Sequence, residues 1–431
     1  MLALSEVLPT SAAVSATGHL CLGGCDLAQL AAEHGTPLAV FDETLLRANA
    51  REYRAGIEQW PGGGEVVYAS KAYYGLGMLR LAHEEGLSVD VASGGELYAA
   101  LAAGFPGDRI HLHGNNKSAH EIDEALAAGV ATIILDGFDE IALVDQLAGV
   151  RGVRQRVLIR VTPGVKPSTH AYISTGQLDS KFGFSLEGGL AAQAVAAVRA
   201  SANLDFDGLH CHLGSQLFDL AVYHAAAALL ADFAKPLGGV QTLDMGGGLG
   251  IAYTKADTVP TITTWCEAVT EAVDTEWRRV GLPMPRLMVE PGRSMVGRAG
   301  VTLYRVGGMK DVPGVRTYVS VDGGMSDLMR PMLYGAVYEP LLANRADEEP
   351  SATVRLVGKH CESGDVLVSE AHLPPPAVGD VVCMPATGAY GVSMASNYNG
   401  VTRPAVLFVA GGTARVVTRR ETYAEIVARD L

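Results

Sequence analysis

The middle of this 431-residue chain alternates short apolar, β-branched runs with Ala-, Leu- and Glu-rich segments of helical spacing. Helical crossovers of this kind join parallel strands, and eight such units over about 220 residues predict an α/β fold with a (β/α)8 TIM-like barrel. The segment after Ser118 shows the pattern, because Glu121 completes a capping box with Ser118 and Gly129 marks the expected end of the helix. In chain order, the predicted strands end with residues 67–70, 88–90, 110–113, 132–135, 157–160, 209–212, 243–245 and 287–290.

The composition changes after about residue 300, where Val, Thr, Gly and Pro increase and long helical patterns fade. Residues 316–321 and 401–409 are predicted strands of an all-β domain, and a strand at 37–41 is expected to join it. The predicted division is an N-terminal segment at 1–36 that joins the β domain, a cofactor-binding barrel at 37–295, and a C-terminal β domain at 296–431.

The charge pattern excludes several classes of partner. Asp and Glu outnumber Lys and Arg by 47 to 33, and no basic cluster is present, so neither a nucleic acid nor a membrane surface is expected as a partner. No apolar run is long enough to span a bilayer, and no Lys or Arg precedes Arg47 as a signal peptide requires. The six cysteines show neither a disulfide framework nor paired metal knuckles. We therefore expect a soluble, cytoplasmic protein without a structural metal.

Chemistry in a barrel takes place at the carboxyl ends of the strands, so the residues that end or follow each predicted run are the candidates. Lys71 follows the first run, Asp90 closes the second, Arg160 the fifth, His212 the sixth and Glu290 the eighth. A lone lysine after a strand is usually a solvated surface charge. A lysine buried at a barrel mouth can instead bind a carbonyl compound covalently, which predicts a reactive amine at Lys71.

Three consecutive glycines at 246–248 follow the seventh run. Such a triplet is usually only a turn, but at this place in a barrel its backbone N–H groups can close on a phosphate. The spacing matches neither a Walker loop nor a dinucleotide fingerprint, which disfavours a nucleotide.

Two further pairs have alternative interpretations. His210 and His212 share one face of their strand and resemble a metal pair, but stacking on an aromatic ring needs only one of them, and no metal is predicted. Glu290 and Arg293 form either a surface ion pair or the partners of a ring nitrogen and a phosphate. Taken with the amine and the glycine loop, they favour pyridoxal phosphate as the cofactor.

The motifs around these residues resemble those of the fold-type III pyridoxal-phosphate decarboxylases, the group that contains the diaminopimelate, ornithine and arginine decarboxylases. Tyr-Ala-Ser-Lys-Ala at 68–72 is similar to the lysine motif of that group. Further similar motifs are Ser-Gly-Gly-Glu-Leu at 93–97, His-Cys-His-Leu-Gly-Ser-Gln at 210–216, Gly-Gly-Gly-Leu-Gly at 246–250, Glu-Pro-Gly-Arg-Ser at 290–294, Cys-Glu-Ser-Gly-Asp at 361–365 and Gly-Ala-Tyr at 388–390. The segments at 172–176, 212–216 and 361–365 resemble the diaminopimelate decarboxylase branch in particular.

This resemblance implies an alanine racemase-like barrel that binds pyridoxal 5'-phosphate. Lys71 would hold the cofactor, His212 would stack on its ring, and Glu290 would pair with the ring nitrogen. The implied cofactor-binding set is Lys71, Asp90, Arg160, His212, Ser215, Gly247, Gly248, Glu290, Gly292, Arg293 and Tyr390. The implied substrate-binding set is Arg293, Arg330, Tyr334, Glu362 and Tyr390.

The resemblance also implies a reaction and an assembly. Cys361 would return a proton to the substrate and would come with Glu362 from the partner subunit, so an obligate homodimer with shared active sites is expected. The implied reaction is decarboxylation of meso-2,6-diaminopimelate to L-lysine and CO₂, the last step of lysine biosynthesis. The alternatives are a decarboxylase of D-ornithine, D-lysine or a carrier-bound glutamyl group, and a non-catalytic protein that binds the cofactor. Tyr73 departs from the resemblance, because many relatives have Asn there.

Overall fold

The continuous apolar runs form parallel strands that are buried on both faces, as strands inside a barrel require. The structure is a computed structural model, and it describes residues 5–165 and 180–431. The motif at 172–176 lies outside the described residues.

The strands are β1 (Ala13–Val14), β2 (Leu20–Leu22), β3 (Cys25–Asp26), β4 (Leu38–Asp42), β5 (Gly64–Ala69), β6 (Ser88–Val91), β7 (Ile110–Leu112), β8 (Thr132–Leu135), β9 (Gln155–Thr162), β10 (Phe184–Ser185), β11 (Leu204–His210), β12 (Thr242–Asp244), β13 (Arg286–Val289), β14 (Gly300–Val312), β15 (Arg316–Val321), β16 (Leu341–Leu342), β17 (Ala352–Val357), β18 (Val366–Leu373), β19 (Val381–Met384), β20 (Ala405–Ala410) and β21 (Thr413–Thr418). The α-helices are α1 (Leu27–His34), α2 (Glu43–Ile57), α3 (Leu76–Glu84), α4 (Gly94–Ala103), α5 (Ala119–Ala128), α6 (Phe138–Arg151), α7 (Leu190–Ala200), α8 (Ala221–Ala234), α9 (Ile262–Val280), α10 (Arg293–Val296), α11 (Arg330–Tyr334) and α12 (Tyr423–Ile426).

Asn49–Gly250 and Val259–Ser294 form one compact unit, which we call the barrel unit. Eight of its strands (β5 to β9 and β11 to β13) pair in parallel, and β13 pairs with β5 to close the ring, which confirms the predicted (β/α)8 barrel. The sixth strand ends at His210 rather than at residue 212, and the eighth ends at Val289 rather than at 290. His212 and Glu290 therefore lie just beyond the last ladder residues, at the barrel mouth.

Helix α5 forms as its sequence signals predict. Ser118 Oγ accepts the Glu121 N–H at 3.2 Å, and the Glu121 carboxylate accepts the Ser118 N–H at 3.0 Å. Gly129 closes the helix in the left-handed region at a φ of 67°, where a side chain would be strained. The capping box and the terminal glycine therefore fix both ends of this crossover.

The amino-terminal end of the barrel is held together by a partly buried carboxylate, Glu65 of β5. It accepts hydrogen bonds from Ser88 at the start of β6 and from Arg286 at the start of β13, and His111 Nε2 of β7 lies 3.3 Å from it. Burial alone would raise the pKa of Glu65, but His111, Arg286 and Ser88 together lower it to about 2. This end of the barrel therefore holds an ionic network that joins four strands.

Met1–Ala48, Ile251–Thr258 and Met295–Leu431 form the second compact unit, the β unit. Strand β4 from the N-terminal segment pairs antiparallel with β14 and parallel with β20, which confirms that this segment joins the C-terminal β domain. The predicted strand at 401–409 begins only at Ala405, because Pro404 has no N–H to donate to a ladder. The proposed domain boundaries at 36/37 and 295/296 stay predictions.

The β unit has an apolar core around its mixed sheet. Leu38, Val40, Val301, Leu303 and Leu407 belong to one buried cluster that includes β4, β14 and β20. In residues 5–165 and 180–431, no helix combines the length and apolar character that crossing a bilayer requires.

Candidate active site

The carboxyl ends of the barrel strands enclose a cavity of about 320 Å³. The five residues predicted from the strand ends, Lys71, Asp90, Arg160, His212 and Glu290, all line it. The structure therefore brings together an amine, an imidazole, two carboxyl groups and a guanidinium from five different strands, as the barrel topology predicts.

Glu290 follows β13, and two histidines of the cavity contact it. His113 Nε2 lies 2.9 Å from Glu290 Oε1, and His210 Nε2 lies 3.3 Å from Glu290 Oε2. All three side chains are buried. Burial would raise the pKa of Glu290, but the neighbouring imidazoles, His113 first and His210 second, hold that pKa well below its usual range. Glu290 is therefore an anion in a buried site.

A second carboxyl group, Asp244 at the end of β12, is fully buried near Glu290, and its Oδ1 accepts the Gly246 N–H at 2.8 Å. Burial, followed by the charge of Glu290, holds the pKa of Asp244 well above its usual range. Two carboxylates in one dry site cannot both ionise, and the one beside the histidines is the one that carries the charge.

His212 presents a neutral ring to the cavity. Burial, followed by the Lys71 charge, lowers the pKa of His212 well below its usual value. Its Nδ1 accepts the Gly247 N–H at 3.3 Å, which fixes the orientation of the ring. A flat, neutral and oriented imidazole of this kind is suited to stacking on an aromatic ring.

Lys71 lies on the short 3-10 turn Ser70–Ala72 that follows β5, and its side chain is exposed in the single chain rather than buried. Nearby Tyr73, where the sequence departs from the resemblance, is buried. Gly75 makes room for the Tyr73 ring, since a Cβ there would lie 2.5 Å from the Tyr73 Oη. The bulky residue is thus accommodated next to the turn that carries the amine.

The glycine loop after β12 has a conformation that only glycine adopts easily. Gly248 has a φ of 121°, and a Cβ there would lie 2.7 Å from Tyr223 Oη and 2.9 Å from Gly214 O. At Gly247 a Cβ would lie 2.2 Å from the Glu290 carbonyl oxygen. Glycine is therefore required at both positions, because the loop packs directly against neighbouring protein atoms.

Polar groups of the predicted phosphate set lie near this loop. Arg293 Nε and Nη2 donate to Ser215 Oγ at 3.2 and 3.0 Å. Gly292 packs closely on the turn that carries Lys71, because a Cβ at Gly292 would lie 3.1 Å from Ala69 Cβ and 3.3 Å from Ala72 Cβ. An arginine, a hydroxyl and glycine backbone are the groups that commonly hold a phosphate.

The five remaining predicted residues, Cys361, Glu362, Arg330, Tyr334 and Tyr390, belong to the β unit. Cys361, Glu362 and Tyr334 are exposed. Arg330 is buried, its Nη1 donates to Tyr338 Oη at 2.7 Å, and its guanidinium lies 4.5 Å from the centre of the Tyr253 ring. Their predicted roles stay predictions.

Six residues that line the cavity have no role in the sequence analysis: Ala92, His113, Gly114, Asn115, Phe182 and His210. His113 ends the third predicted strand, and residues at strand ends are the candidates for the site, so the sequence does indicate His113. The sequence offers His210 only as one member of a metal pair. Phe182 carries the Arg160 guanidinium 4.3 Å from its ring centre, and it has no strand-end signal.

The donor set suits a heteroaromatic phosphate. Glu290 Oε1 is buried without an aligned hydrogen bond, so it can accept one from a protonated ring nitrogen. The amine of Lys71, the flat ring of His212 and the glycine loop supply the other contacts that pyridoxal phosphate needs. The polar atoms of His113, His210 and Glu290 lie within 4.8 Å of one another because both histidines contact the carboxylate.

Comparisons with known proteins agree with this assignment. Residues 46–297, more than half of the chain, match the family model described as pyridoxal-dependent decarboxylase, pyridoxal binding domain. The chain is 48% identical to the diaminopimelate decarboxylase of Bacillus subtilis (strain 168) over 419 residues, which cover 96% of this chain and 95% of that protein. It is 45% identical over 440 residues to the diaminopimelate decarboxylase of Mycobacterium tuberculosis (strain ATCC 25618 / H37Rv), with 99% of this chain and 98% of that protein covered.

A solved structure shows the same fold throughout. The crystal structure of diaminopimelate decarboxylase from M. jannaschii in co-complex with L-lysine superposes with a TM-score of 0.91 at 33% identity, covering 99% of this chain and 98% of that chain. The likeness therefore includes both the barrel unit and the β unit. The chain belongs to the diaminopimelate decarboxylase family of pyridoxal-dependent decarboxylases.

Proposed function

We propose that this carboxy-lyase decarboxylates meso-2,6-diaminopimelate to L-lysine and CO₂, using pyridoxal 5'-phosphate. The observation that supports this most is the arrangement of Lys71, His212 and an anionic Glu290 around one cavity, in a chain whose full-length relatives are diaminopimelate decarboxylases. The solved relative with L-lysine is consistent with this product.

Pyridoxal phosphate supplies an electron-withdrawing ring that accepts the electron pair left behind when a carboxylate departs. Lys71 would provide the amine that holds the cofactor. Glu290, as a buried anion, keeps a proton on the ring nitrogen and thereby strengthens the withdrawal of electrons. His212 would stack on the ring and limit its orientation.

The phosphate set in this proposal is Ser215, Gly247, Gly248, Gly292 and Arg293, with Tyr390 closing over it. Asp90 and Arg160 complete the polar wall of the cavity. Arg293 and Arg330 would bind the distal carboxylate of the substrate and Glu362 its distal ammonium, with Tyr334 beside them. Cys361 or Lys71 returns the proton to the carbon that lost CO₂.

We also propose a cytoplasmic homodimer in which Cys361 and Glu362 act in the partner's site. The exposure of both residues supports this, as do exposed apolar side chains at Met332, Leu333 and Val337. Mixing Lys71→Ala and Cys361→Ala chains should give more activity than either chain alone, because a mixed dimer contains one site with both groups intact. Mixtures that stay inactive while dimers exchange would contradict shared sites.

The substrate is tested with purified, cofactor-loaded protein and four compounds: meso-diaminopimelate, LL-diaminopimelate, D-ornithine and D-lysine. Release of CO₂ and the chirality of the product are measured together. L-lysine from the meso isomer alone is the expected result. CO₂ from D-ornithine or D-lysine without turnover of meso-diaminopimelate would favour the other decarboxylases, and cofactor binding without any CO₂ would favour a binding protein.

A further inference from the structure

Two histidines contact Glu290, and neither has a role in the reaction described above. His113 follows β7 and His210 ends β11, so the two approach the carboxylate from strands that are not neighbours in the ring. Their rings meet edge to face at 5.1 Å with an interplanar angle of 75°. Both are almost completely buried, so water does not compete for these contacts.

The two histidines make different contacts. His210 Nε2 lies at hydrogen-bond distance, 3.3 Å, from Oε2 of Glu290. His113 Nε2 lies 2.9 Å from Oε1 but is not aligned as a hydrogen bond. A carboxylate oxygen has two lone pairs, so Oε1 keeps the capacity to accept a ring N–H while His113 lies beside it.

Their protonation follows from the surrounding charges. Burial lowers the pKa of His113, but the charges of Asp90 and Glu290 outweigh burial and the net shift is upward. Burial, only partly offset by Glu290, leaves the pKa of His210 lowered. The other charged groups in the cavity wall are Lys71 and Arg160, and Asp244 is held neutral. His113 is thus the imidazole that can share positive charge with Glu290, whereas His210 acts as a neutral donor.

We propose that His113 and His210 are positioning residues, which fix the rotation of the Glu290 carboxylate and keep it an anion toward the ring nitrogen of the cofactor. This inference rests on the proposed use of Glu290 at that nitrogen. Without the two contacts, the carboxylate could turn about its last bond or take up a proton in its buried site. Either change would weaken the hold on the ring proton and so slow decarboxylation.

His111 offers a matched control on the same strand. It is two residues before His113, equally buried, and it also contacts a glutamate, the partly buried Glu65, at 3.3 Å. That pair lies at the amino-terminal end of the barrel, away from the cavity lining. His111→Asn should therefore weaken folding without changing cofactor chemistry.

The experiment compares the His113→Asn, His210→Asn and His111→Asn holoenzymes. Three quantities are measured: the affinity of each apoprotein for pyridoxal phosphate, the pH dependence of the visible absorption of the bound cofactor, and kcat and KM separately. His113→Asn should lower kcat by roughly ten- to a hundred-fold, as expected for one charge-assisted contact, with KM changed far less. Its absorption should titrate at a shifted pH, and His210→Asn should show a smaller shift in the same measurement.

A double-mutant cycle separates positioning from a general structural effect. In the Glu290→Gln background, His113→Asn should have almost no further effect on kcat or on the absorption titration, because the contact is already lost. Fully additive effects would overturn the proposal, and so would identical profiles for His113→Asn and His111→Asn. His113→Gln, which keeps a polar group of closer size, replaces His113→Asn if the latter does not fold.

The failure of this proposal can be told apart from failure of the proposed function. The absorption titration and the cofactor affinity need no substrate, so they test His113 even if diaminopimelate is not turned over. Conversely, turnover of meso-diaminopimelate by a His113→Asn variant with an unchanged titration would leave the function intact and remove the positioning role.

Discussion

The Glu65 network predicts a measurable contribution to the stability of the barrel unit. The side chain is 12% exposed, and its pKa falls from the usual 4.5 to about 2. At about 1.36 kcal/mol per pKa unit, that fall corresponds to roughly 3 kcal/mol of folding free energy at neutral pH. Glu65→Gln keeps the shape and removes the charge, so it should lose most of this amount.

The pH dependence has a definite sign. The folded pKa of Glu65 is depressed, so its contribution is fully present above the unfolded value near 4.5 and is lost as the pH falls through the folded value near 2. Between pH 7 and pH 4 the difference between wild type and Glu65→Gln should shrink by about 0.8 kcal/mol. Between pH 7 and pH 6 it should not change measurably through this group.

Urea unfolding followed by tryptophan fluorescence suits the assay, since Trp60, Trp265 and Trp277, the three tryptophans of the chain, all lie in the barrel unit. Glu58→Gln is the control, because Glu58 is 44% exposed in its pair with Arg54 and exposed pairs contribute at most about 1 kcal/mol. A Glu65→Gln loss no larger than that of Glu58→Gln, or one that grows as the pH falls, would refute the reasoning.

Two further predictions concern the glycine loop and Lys117, a buried lysine of the barrel unit that pairs with Glu140. Lys117→Met should lower the free energy of unfolding by about 3–5 kcal/mol in the urea assay. The Glu140 carboxylate lies 2.8 Å from the Lys117 amine, so the substitution leaves a buried acid without its cation. A loss below about 1 kcal/mol would contradict this account. Gly248→Ala should weaken pyridoxal phosphate binding by roughly ten-fold or more, since φ is 121° and the Cβ meets Tyr223 and Gly214. Fluorescence titration of the apoprotein measures the latter effect, and unchanged affinity would show that the loop does not contact the cofactor.

The barrel could be predicted from sequence because a parallel strand buried on both faces appears as an uninterrupted apolar run. The five cavity residues Lys71, Asp90, Arg160, His212 and Glu290 could be predicted for a related reason, since every strand of a parallel barrel ends at the same mouth. The boundaries of individual strands are harder to predict. At residues 401–409 the strand begins only at Ala405, after Pro404.

The pairing of His113 and His210 with Glu290 could not be predicted in the same way. Strand ends give the candidates at the mouth, but which of them face each other depends on ring closure and on rotamers inside the barrel. β7 and β13 are separated by β5 and β6 in the ring, so no local pattern joins His113 to Glu290. The roles of Cys361 and Glu362 came from motif resemblance alone, because their loop belongs to the β unit.

The place of β4 in its sheet has a consequence for how the protein is made. This strand comes from near the start of the chain, yet it pairs with β14 and with β20, which is close to the end. During synthesis on a ribosome, Leu38–Asp42 therefore emerges long before its second neighbour exists and leaves an apolar strand edge unprotected. A nascent chain that stops before Ala405 lacks that neighbour altogether, so premature termination even near the end of the message should yield an aggregation-prone product.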